Sequence, residues 1–256
     1  MLVSRKEKRM FLKKIYNKLP DAMKNTWRKY KKNQLPTKIM QAFNANTPFF
    51  AIQGGFFTDI KIEELGYFSQ YGQDLFLDRC FFNGKNDGVF IDIGANDPII
   101  LSNTLFFEKK GWTGLAFEPQ IALQTKWNCR KTVCLPIALG ECEKEITFCE
   151  VPGKHNYLSH VVTDTDKIKG ETTRVKQRRL TDVLLERNLI NIDFVSLDVE
   201  GYEMNVLNGI DFDRINIKVF VIENNNNHPY IIQKYMKKKG YRYIGRLEID
   251  DFFVKD

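Results

Sequence analysis

Four acidic residues in this sequence stand where hydrophobic runs end. They are Asp92, Glu118, Asp198 and Glu223. Each run has the β-branched and aromatic composition of a buried strand, and in an open parallel sheet ligands gather at the carboxyl ends of the strands. The four acids are therefore expected to meet at one edge of a sheet and to contact a bound ligand there.

The turn after the first of these runs indicates which ligand this is. It reads Gly-Ala-Asn-Asp-Pro over residues 94–98, and its glycine permits a tight turn from strand to helix. A dinucleotide site needs further glycines for the pyrophosphate, and the turn has none. S-adenosylmethionine has no phosphate and carries a sulfonium and an ammonium, so a glycine turn flanked by acids favours methyl transfer over hydride transfer. Glu118 is then placed to accept hydrogen bonds from the ribose hydroxyls.

Segments around these acids resemble the FkbM-type methyltransferases. In the family's order they are SQYGQD at 69–74, FIDIGAND at 90–97, SNT at 102–104, GWTG at 111–114, FEP at 117–119 and SLDVEGYE at 196–203. The resemblance covers about residues 67–225 and leaves the N-terminal segment out. It implies an α/β fold of the class I methyltransferase type, which is Rossmann-like, with a mostly parallel seven-stranded sheet, an antiparallel last strand and helices on both faces. It also implies O-methylation of sugars or related natural products.

Carried over residue by residue, the resemblance implies a cofactor site. Gly94 and its neighbours would lie beside the methionine portion, Glu118 would hold the ribose, and Ala138 or Glu141 would lie near adenine. The expected contacts to S-adenosylmethionine are Gln73, Asp92, Gly94, Ala95, Asn96, Asp97, Ser102, Asn103, Glu118, Pro119, Ala138 and Asp198. The chain departs from the family at Pro98, where glycine is usual. Proline fixes its own φ and removes an N–H donor, which puts the shape of the turn in question.

Methyl transfer to a sugar hydroxyl needs a base or a metal that makes the oxygen more nucleophilic. Asp198 and Glu200 are two residues apart, so at a strand end both carboxylates point to one face. They are expected to act as base and orienting partner, or together to hold a divalent cation through oxygen ligands. Alternatively, Asp198 contacts only the cofactor's ammonium and Glu200 only caps the next helix. His155 or His160, in the polar segment 154–179, is a further candidate base.

Alternating strand and helix patterns are expected to position these side chains. From about residue 66 short β-branched runs alternate with helical segments, as in βαβ units. Strands are predicted over residues 89–93, 114–118, 133–139, 193–198, 218–223, 241–245 and 252–254. Helices are predicted over residues 102–110, after 119, from about 181 and over 229–240. Segment 154–179 is predicted to be a polar excursion between two of these elements.

The N-terminal residues differ in charge from the rest of the chain. Residues 1–40 hold thirteen Lys or Arg and two acids, whereas the remaining chain has a small negative net charge. A basic helix with a narrow apolar stripe is predicted over residues 5–19, to pack on the body, contact an anionic membrane surface or pair with a partner chain. The chain is therefore divided into a basic, helical extension over residues 1–60 and a methyltransferase domain over 61–256.

Composition restricts the other function classes. The five cysteines form no CxxC pair, which indicates free thiols in a reducing compartment rather than disulfides or zinc, and no metal ligand set is assigned. No apolar run approaches the roughly 20 residues that cross a bilayer, so a cytoplasmic location is expected, with peripheral contact to the inner membrane surface through the basic extension.

Two alternatives to a sugar O-methyltransferase follow from single features. Pro98 suggests a non-catalytic binding or scaffold protein on the same fold, although such a protein has no chemical need for acids at the strand ends. The sequence pI of about 9.0 suggests an RNA methyltransferase. The acidic balance outside residues 1–40 disfavours nucleic-acid binding, because RNA needs a basic surface around the catalytic cavity.

Overall fold

The computed structural model describes residues 49–51, 66–151, 153–163, 170–225 and 230–256, with only the backbone for 49–51 and 154–156. The predicted basic helix over 5–19 and the other residues of the 1–60 extension, apart from 49–51, lie outside this part of the chain. The division at residue 60 and the roles suggested for the extension therefore stay predictions.

Twelve strands and six α-helices are present in the described residues. The strands are β1 (Phe49–Ala51), β2 (Val89–Ile93), β3 (Thr113–Phe117), β4 (Val133–Leu135), β5 (Ala138–Leu139), β6 (Lys144–Glu150), β7 (His160–Val161), β8 (Glu171–Arg178), β9 (Asn191–Leu197), β10 (Asn216–Glu223), β11 (Tyr241–Leu247) and β12 (Asp250–Lys255). The helices are α1 (Gln73–Phe76), α2 (Leu105–Lys109), α3 (Ile121–Gln124), α4 (Leu180–Glu186), α5 (Glu203–Asn208) and α6 (Tyr230–Lys238). A π-helical turn, Leu77–Phe81, continues α1, and 3₁₀ turns occupy Lys126–Cys129 and Gly153–Leu158.

The main sheet has the strand order β1-β11-β12-β10-β9-β2-β3-β4. β12 runs antiparallel to both of its neighbours, and the remaining adjacent strands pair in parallel. The chain moves outward in one direction from β2 through β3 to β4, and in the other from β9 to β10. The order thus reverses between β2 and β9, which is where an open α/β sheet forms its ligand crevice.

The predicted α/β fold with a parallel-dominated sheet and an antiparallel last strand is confirmed, but the count of seven strands is not. Within the described residues the main sheet has eight strands, and the additional one is β1, at its edge. Phe49 of β1 pairs with Gly245 of β11. Residue 49 belongs to the segment that was predicted to be a helical extension. A strand of three residues is too short for an alternating pattern to be recognised.

A second sheet comes from the chain between β4 and α4. Its order is β5-β8-β6-β7, with a long antiparallel pair of β6 and β8. The prediction of one strand over 133–139 is wrong, and the described part of the polar excursion predicted over 154–179 holds two strands, β7 and β8. Pro136, which has no N–H, separates β4 in the main sheet from β5 in the second. β8 buries only Val175 and Gln177 and is otherwise made of polar residues. Its sequence therefore has the composition of a polar loop.

Apolar cores lie on both faces of the main sheet. Consecutive residues of β10 alternate between them, with Val219 and Val221 in one core and Phe220 and Ile222 in the other. The core around Phe220 includes side chains of α4, α5 and α6, whereas the core around Val221 includes side chains of α1 and α2. The central strands are therefore covered on both faces, and their carboxyl ends are held in fixed positions.

The remaining predicted strands and helices are found with shifts of a few residues at their ends. α2 begins at Leu105 rather than at Ser102, yet the Ser102 hydroxyl accepts hydrogen bonds from the backbone N–H groups of Thr104 and Leu105, as expected of a helix cap. The five cysteines are free, as predicted. No helix among the described residues is long and apolar enough to span a bilayer.

Candidate active site

A cavity of about 760 Å³ opens at the carboxyl ends of β2, β3, β9 and β10, between the main sheet and the second sheet. Its volume is in the range of small-molecule sites. The twelve residues predicted to contact S-adenosylmethionine all line it, and so does Glu200. Glu141, the alternative to Ala138, is not among the lining residues. The sequence thus located this cavity, whereas the individual roles of these residues stay predictions.

The turn after β2 is held against β3 and β9. The N–H groups of Gly94 and Ala95 donate to the Phe117 carbonyl oxygen at 3.0 and 3.1 Å. Gly94 has φ +76°, and a Cβ at this position would lie 1.6 Å from the carbonyl oxygen of Asp198. Only glycine combines this backbone conformation with so close an approach. Asn96 also has a positive φ, of 43°, and its N–H donates to Glu118 at 2.9 Å.

Pro98 is accommodated by a turn that Asp97 closes. One carboxylate oxygen of Asp97 accepts hydrogen bonds from the N–H groups of Ile99 and Ile100, each at 3.0 Å. Although partial burial opposes ionisation, these two bonds and the Lys126 ammonium lower the pKa of Asp97. At position 98 the hydrogen-bonding group is the Pro98 carbonyl oxygen, which accepts from Arg130. The N–H that proline lacks is not used in this turn. The departure from the family pattern therefore leaves the turn intact.

Arg130, which the sequence analysis did not single out, fixes this turn to the sheet. Its guanidinium donates to the Pro98 carbonyl oxygen at 2.7 Å and lies 3.3 Å from the hydroxyl of Thr104, and it pairs with Glu108 at 2.9 Å. The Thr104 hydroxyl in turn donates to Asp92 at 2.6 Å. Burial raises the pKa of Asp92 to about 6, against the opposing effects of Thr104 and Arg130. Arg130 thus connects the turn to the acid at the end of β2.

Glu118 is buried directly after β3 and is bonded by backbone amides. One of its carboxylate oxygens accepts from the N–H of Asn96 at 2.9 Å, and the other accepts from the N–H of Gln120 at 2.8 Å. Burial raises the pKa of Glu118 to about 7, although these two bonds and a third from the Gln120 side chain favour the ionised form. A carboxylate has about four acceptor positions, and these three bonds leave at least one of them open to a ligand hydroxyl.

A cluster of three acids lies across the cavity, formed by Asp198, Glu200 and Glu223. One carboxylate oxygen from each of the three lies within 4.8 Å of those of the other two. Asp198 and Glu223 share a hydrogen bond, which requires a proton on one of them. Burial raises the pKa of both, and the negative charges of Asp198 and Glu200 raise that of Glu223 further. Burial, followed by the charge of Asp198, raises the pKa of Glu200 to about 7.

The loop after β9 brings Glu200 to the cavity through two residues in the left-handed region. Glu200 has φ 54° and Gly201 has φ 98°. Glu203 folds back over this loop, and its carboxylate accepts from the N–H groups of Val199 and Gly201 at 3.2 and 3.0 Å. Glu203, the first residue of α5, therefore holds this loop in place. Strained backbone held in place by its surroundings is typical of functional sites.

Asp250 lies on the same side of the cavity as the cluster of Asp198, Glu200 and Glu223. It is the first residue of β12, and its buried carboxylate accepts from the Gln73 side-chain amide at 2.6 Å. Burial, then the charge of Asp198, raises its pKa to about 7. Asp250 was not among the predicted site residues, whereas Glu223 was predicted to lie at this edge of the sheet but was given no specific role. Glu223 could be recognised from its position at a strand end. Asp250 could be recognised only from the antiparallel direction of the last strand, whose start lies at the same edge of the sheet.

The two histidines predicted as alternative bases, His155 and His160, lie in different elements. The backbone of His155 lies in the 3₁₀ turn Gly153–Leu158, but its side chain lies outside the described residues, so its role stays a prediction. His160 lies in β7, where its Nδ1 is 2.9 Å from the Leu158 carbonyl oxygen, and it does not line the cavity. Tyr157 and Leu158, from the same 3₁₀ turn, do line it.

Comparison with known proteins gives two findings. The model of the methyltransferase FkbM domain matches residues 92–243, which include every acid of the cavity except Asp250. AMB antimetabolite synthetase AmbE of Pseudomonas aeruginosa is 25% identical over 184 residues, covering 54% of this chain and 8% of AmbE. The chain thus spans less than a tenth of the length of that relative.

Proposed function

Because this chain belongs to the FkbM methyltransferase family, we propose that it transfers a methyl group from S-adenosylmethionine to a hydroxyl oxygen of a sugar or glycan. The observation that carries this proposal is the pairing of two kinds of buried acid in one cavity. The pKa of Glu118 is raised by burial, but hydrogen-bond donors oppose that rise, whereas in the cluster of Asp198, Glu200 and Glu223 neighbouring negative charges add to the effect of burial.

The lining of the cavity supports S-adenosylmethionine as the cofactor. Seven acids line it, and Lys126, which pairs with Asp97, is the only lysine or arginine among the described lining residues. Such a lining attracts a sulfonium and an ammonium and repels a pyrophosphate. The buried Oδ1 of Asn103 has no hydrogen-bond partner among the described residues, which leaves an acceptor for a ligand donor.

In this proposal Glu118 accepts hydrogen bonds from the ribose hydroxyls, and the turn that starts at Gly94 lies beside the methionine portion. Ala138 lies beside the adenine, together with the apolar side chains of Ile137 and Phe148 that line the same cavity. When bound, S-adenosylmethionine supplies a methyl carbon activated for in-line displacement by its sulfonium.

The chain's own contribution to the chemistry is to position the acceptor and to take its proton. The acceptor oxygen forms the new bond to the methyl carbon, the bond from that carbon to sulfur breaks, and the hydroxyl proton moves to a carboxylate. Glu200 is the proposed base, because a group with a pKa of about 7 is partly ionised at neutral pH and is still basic. Asp198 and Glu223 orient it and hold the acceptor hydroxyl, and His155 is the alternative base.

The spacing of the three acids also favours a second role. Carboxylate oxygens within 4.8 Å of one another can bind a divalent cation, which would raise the acidity of the acceptor hydroxyl. A chelator distinguishes the two roles. With a carboxylate base, activity survives dialysis against the chelator, whereas with a cation it is lost and returns when Mg²⁺ or Mn²⁺ is added.

A polyhydroxylated acceptor is favoured by the groups around the cluster. Tyr71, Gln73 and Asn225 line the cavity beside the acids, so both donors and acceptors are available for sugar hydroxyls. The same lining disfavours RNA, because a phosphate backbone needs basic side chains at the cavity. The intact turn at Pro98 weakens the alternative of a non-catalytic scaffold protein, since it removes the feature that suggested it.

The proposal is tested by incubating the protein with S-adenosylmethionine and a panel of sugars, nucleotide sugars and short RNAs. Products are analysed by mass spectrometry for the gain of one methyl group and by fragmentation for its position. Methylation of a sugar hydroxyl is the expected result. Methyl transfer to an amine or to RNA alone, or S-adenosylmethionine binding without transfer to any saccharide, would contradict the proposed acceptor class.

A further inference from the structure

One strand of the second sheet buries a polar side chain at a position that faces the core. Of the eight residues of β8 only Val175 and Gln177 are buried, and Gln177 is buried completely. Burying an amide is unfavourable unless both its carbonyl oxygen and its NH₂ group find partners. An apolar side chain would fill this position without that requirement, so the glutamine indicates that its hydrogen bonds have a purpose.

Both ends of the Gln177 amide are hydrogen-bonded. Its Nε2 donates to the Cys142 carbonyl oxygen at 2.8 Å, in the connection between β5 and β6. Its Oε1 accepts from the hydroxyl of Tyr202 at 3.0 Å. Tyr202 lines the cavity and directly precedes α5, two residues after Glu200. Gln177 therefore connects the second sheet to the loop that carries Glu200.

The loop from Val199 to Gly201 has a backbone that needs such an anchor. Glu200 and Gly201 both have positive φ, which is unfavourable for a glutamate. A conformation of this kind persists only where neighbouring groups fix it. Glu203 holds two N–H groups of the loop, and the Tyr202 hydroxyl fixes its far end. The bond to Tyr202 is thus one of the contacts that keep the Glu200 carboxylate in the cavity.

The far end of α5 is also packed against the chain that follows β5. A Cβ at Gly140 would clash with the Gln177 side chain, and a Cβ at Gly209 would clash with the Gly140 carbonyl oxygen. Gly209 is the residue that ends α5, and its own carbonyl oxygen accepts from the Thr181 hydroxyl at 3.1 Å. Helix α5 is therefore held at both ends, which makes the second sheet a firm support for the loop.

We propose that Gln177 is a positioning residue for methyl transfer. By holding the Tyr202 hydroxyl it keeps Glu200 facing the acceptor, and it neither lines the cavity nor exchanges a proton. The second sheet also lines the cavity through Ala138 and Phe148, so the wall proposed for adenine and the loop with the proposed base form one connected unit. The role in catalysis rests on the proposed function, whereas the anchoring of the loop does not.

Tyr202→Phe removes the hydroxyl and keeps the ring, and Tyr235→Phe is its matched control. The Tyr235 hydroxyl also donates to α5, to the Leu207 carbonyl oxygen at 3.0 Å, but Tyr235 does not line the cavity. We expect Tyr202→Phe to lower kcat for methyl transfer to the identified sugar about tenfold or more, with the acceptor KM and the affinity for S-adenosylhomocysteine little changed. The control is expected to lose a similar amount of thermal stability and no activity.

Two substitutions at Gln177 separate positioning from packing. Gln177→Leu fills a similar space without hydrogen bonds and is expected to lower kcat at least as much as Tyr202→Phe. Gln177→Glu introduces a carboxyl that burial keeps neutral, so its O–H and C=O groups replace both bonds. We expect this variant to retain activity close to that of the wild type. If Gln177→Leu does not fold, Tyr202→Phe and Gln177→Glu still decide the question.

Amide hydrogen exchange tests the anchoring without reference to activity. The N–H groups of Val199 and Gly201 are bonded to Glu203, so their exchange, measured by NMR, reports opening of the loop. We expect faster exchange there in Tyr202→Phe and unchanged exchange in Tyr235→Phe. Unchanged exchange in Tyr202→Phe, or a kcat equal to that of the wild type, would overturn the proposal. Faster loop exchange in a protein that methylates no sugar supports the anchoring and contradicts only the proposed function.

Discussion

The two sides of the cavity surround their buried acids in different ways. Glu118 faces the N–H groups of Asn96 and Gln120, which stabilise its charge. Asp198 and Glu223 face each other, so the negative charge of Asp198 disfavours the ionised form of Glu223. The first arrangement suits a fixed acceptor for ligand hydroxyls, and the second suits a group that takes up a proton or a cation. The same residue type, at equivalent strand ends, is thus given two chemical roles by what it faces.

The largest effect is expected where the two sides meet, at Gly94. In Gly94→Ala the new Cβ must move away from the carbonyl oxygen of Asp198, 1.6 Å away, and the residue must keep φ +76°. We expect a loss of more than about 3 kcal/mol in the free energy of unfolding, measured by urea denaturation. The same variant is expected to lose detectable binding of S-adenosylhomocysteine.

Gly84→Ala is the matched control, because Gly84 has φ +79° and no atom lies within 4 Å of the position that a Cβ would take there. It carries the cost of the left-handed backbone alone, about 1 to 2 kcal/mol. If Gly94→Ala were no more destabilising than Gly84→Ala, the close approach between β2 and β9 would be wrong.

Glu200→Gln tests the acidic side alone. It keeps the shape of the side chain and removes the proposed base, so the rate of methyl transfer to the identified sugar should fall about 100-fold or more. The rise of kcat with pH, with an apparent pKa near 7, should disappear as well. S-adenosylhomocysteine affinity is expected to change little, as is any property of the control Glu145→Gln, whose residue is exposed on β6. An unchanged pH profile would point to His155 or to a bound cation.

The pH dependence of stability compares both sides at once. The folded-state pKa is raised to about 7 for Glu118 and Asp250 and to about 6 for Asp92. The folded state therefore binds more protons than the unfolded state between roughly pH 4 and 7, and the free energy of unfolding of the ligand-free protein should fall as pH rises through that window.

The contribution of Glu118 to this fall is about 1 to 3 kcal/mol, and Glu118→Gln should remove it. Urea denaturation across the window measures both curves. Asp97, with its lowered pKa, acts in the opposite direction, but at lower pH. Stability that rises from pH 5 to 7 in the wild type would contradict the burial of these acids.

The smallest effect is expected for Pro98→Gly, which restores the usual family residue. The turn is held by the Asp97 side chain and by Arg130, neither of which needs the proline ring. We expect unchanged cofactor affinity and a loss of less than about 1 kcal/mol from the greater freedom of the unfolded chain. Thermal denaturation and calorimetry measure the two quantities. A large gain in cofactor affinity would mean that Pro98 distorts the turn.

The sequence predicted those parts of the site that follow from single strands. Asp92, Gly94, Glu118 and Asp198 are recognisable because each directly adjoins a buried apolar run in a parallel sheet. Contacts between distant segments have no such local signal. Arg130 reaches Pro98 across 32 residues, and no periodicity connects them.

The second sheet was missed for a related reason. β8 exposes most of its side chains, so its composition is that of a polar loop, and β5 and β7 are only two residues long. Asp250 was missed because it starts a strand, and only the antiparallel direction of β12 brings that start to the cavity. Tertiary contacts decide both features.

The central claim is that the cavity binds S-adenosylmethionine through Glu118, and calorimetric titration tests it most directly. The wild type and Glu118→Gln are titrated with S-adenosylmethionine and with S-adenosylhomocysteine. We predict micromolar binding of both compounds by the wild type and binding at least about tenfold weaker by the variant, which lacks the negative charge and one of the two acceptor oxygens. Absence of binding by the wild type, or equal affinity in the two proteins, would contradict the claim.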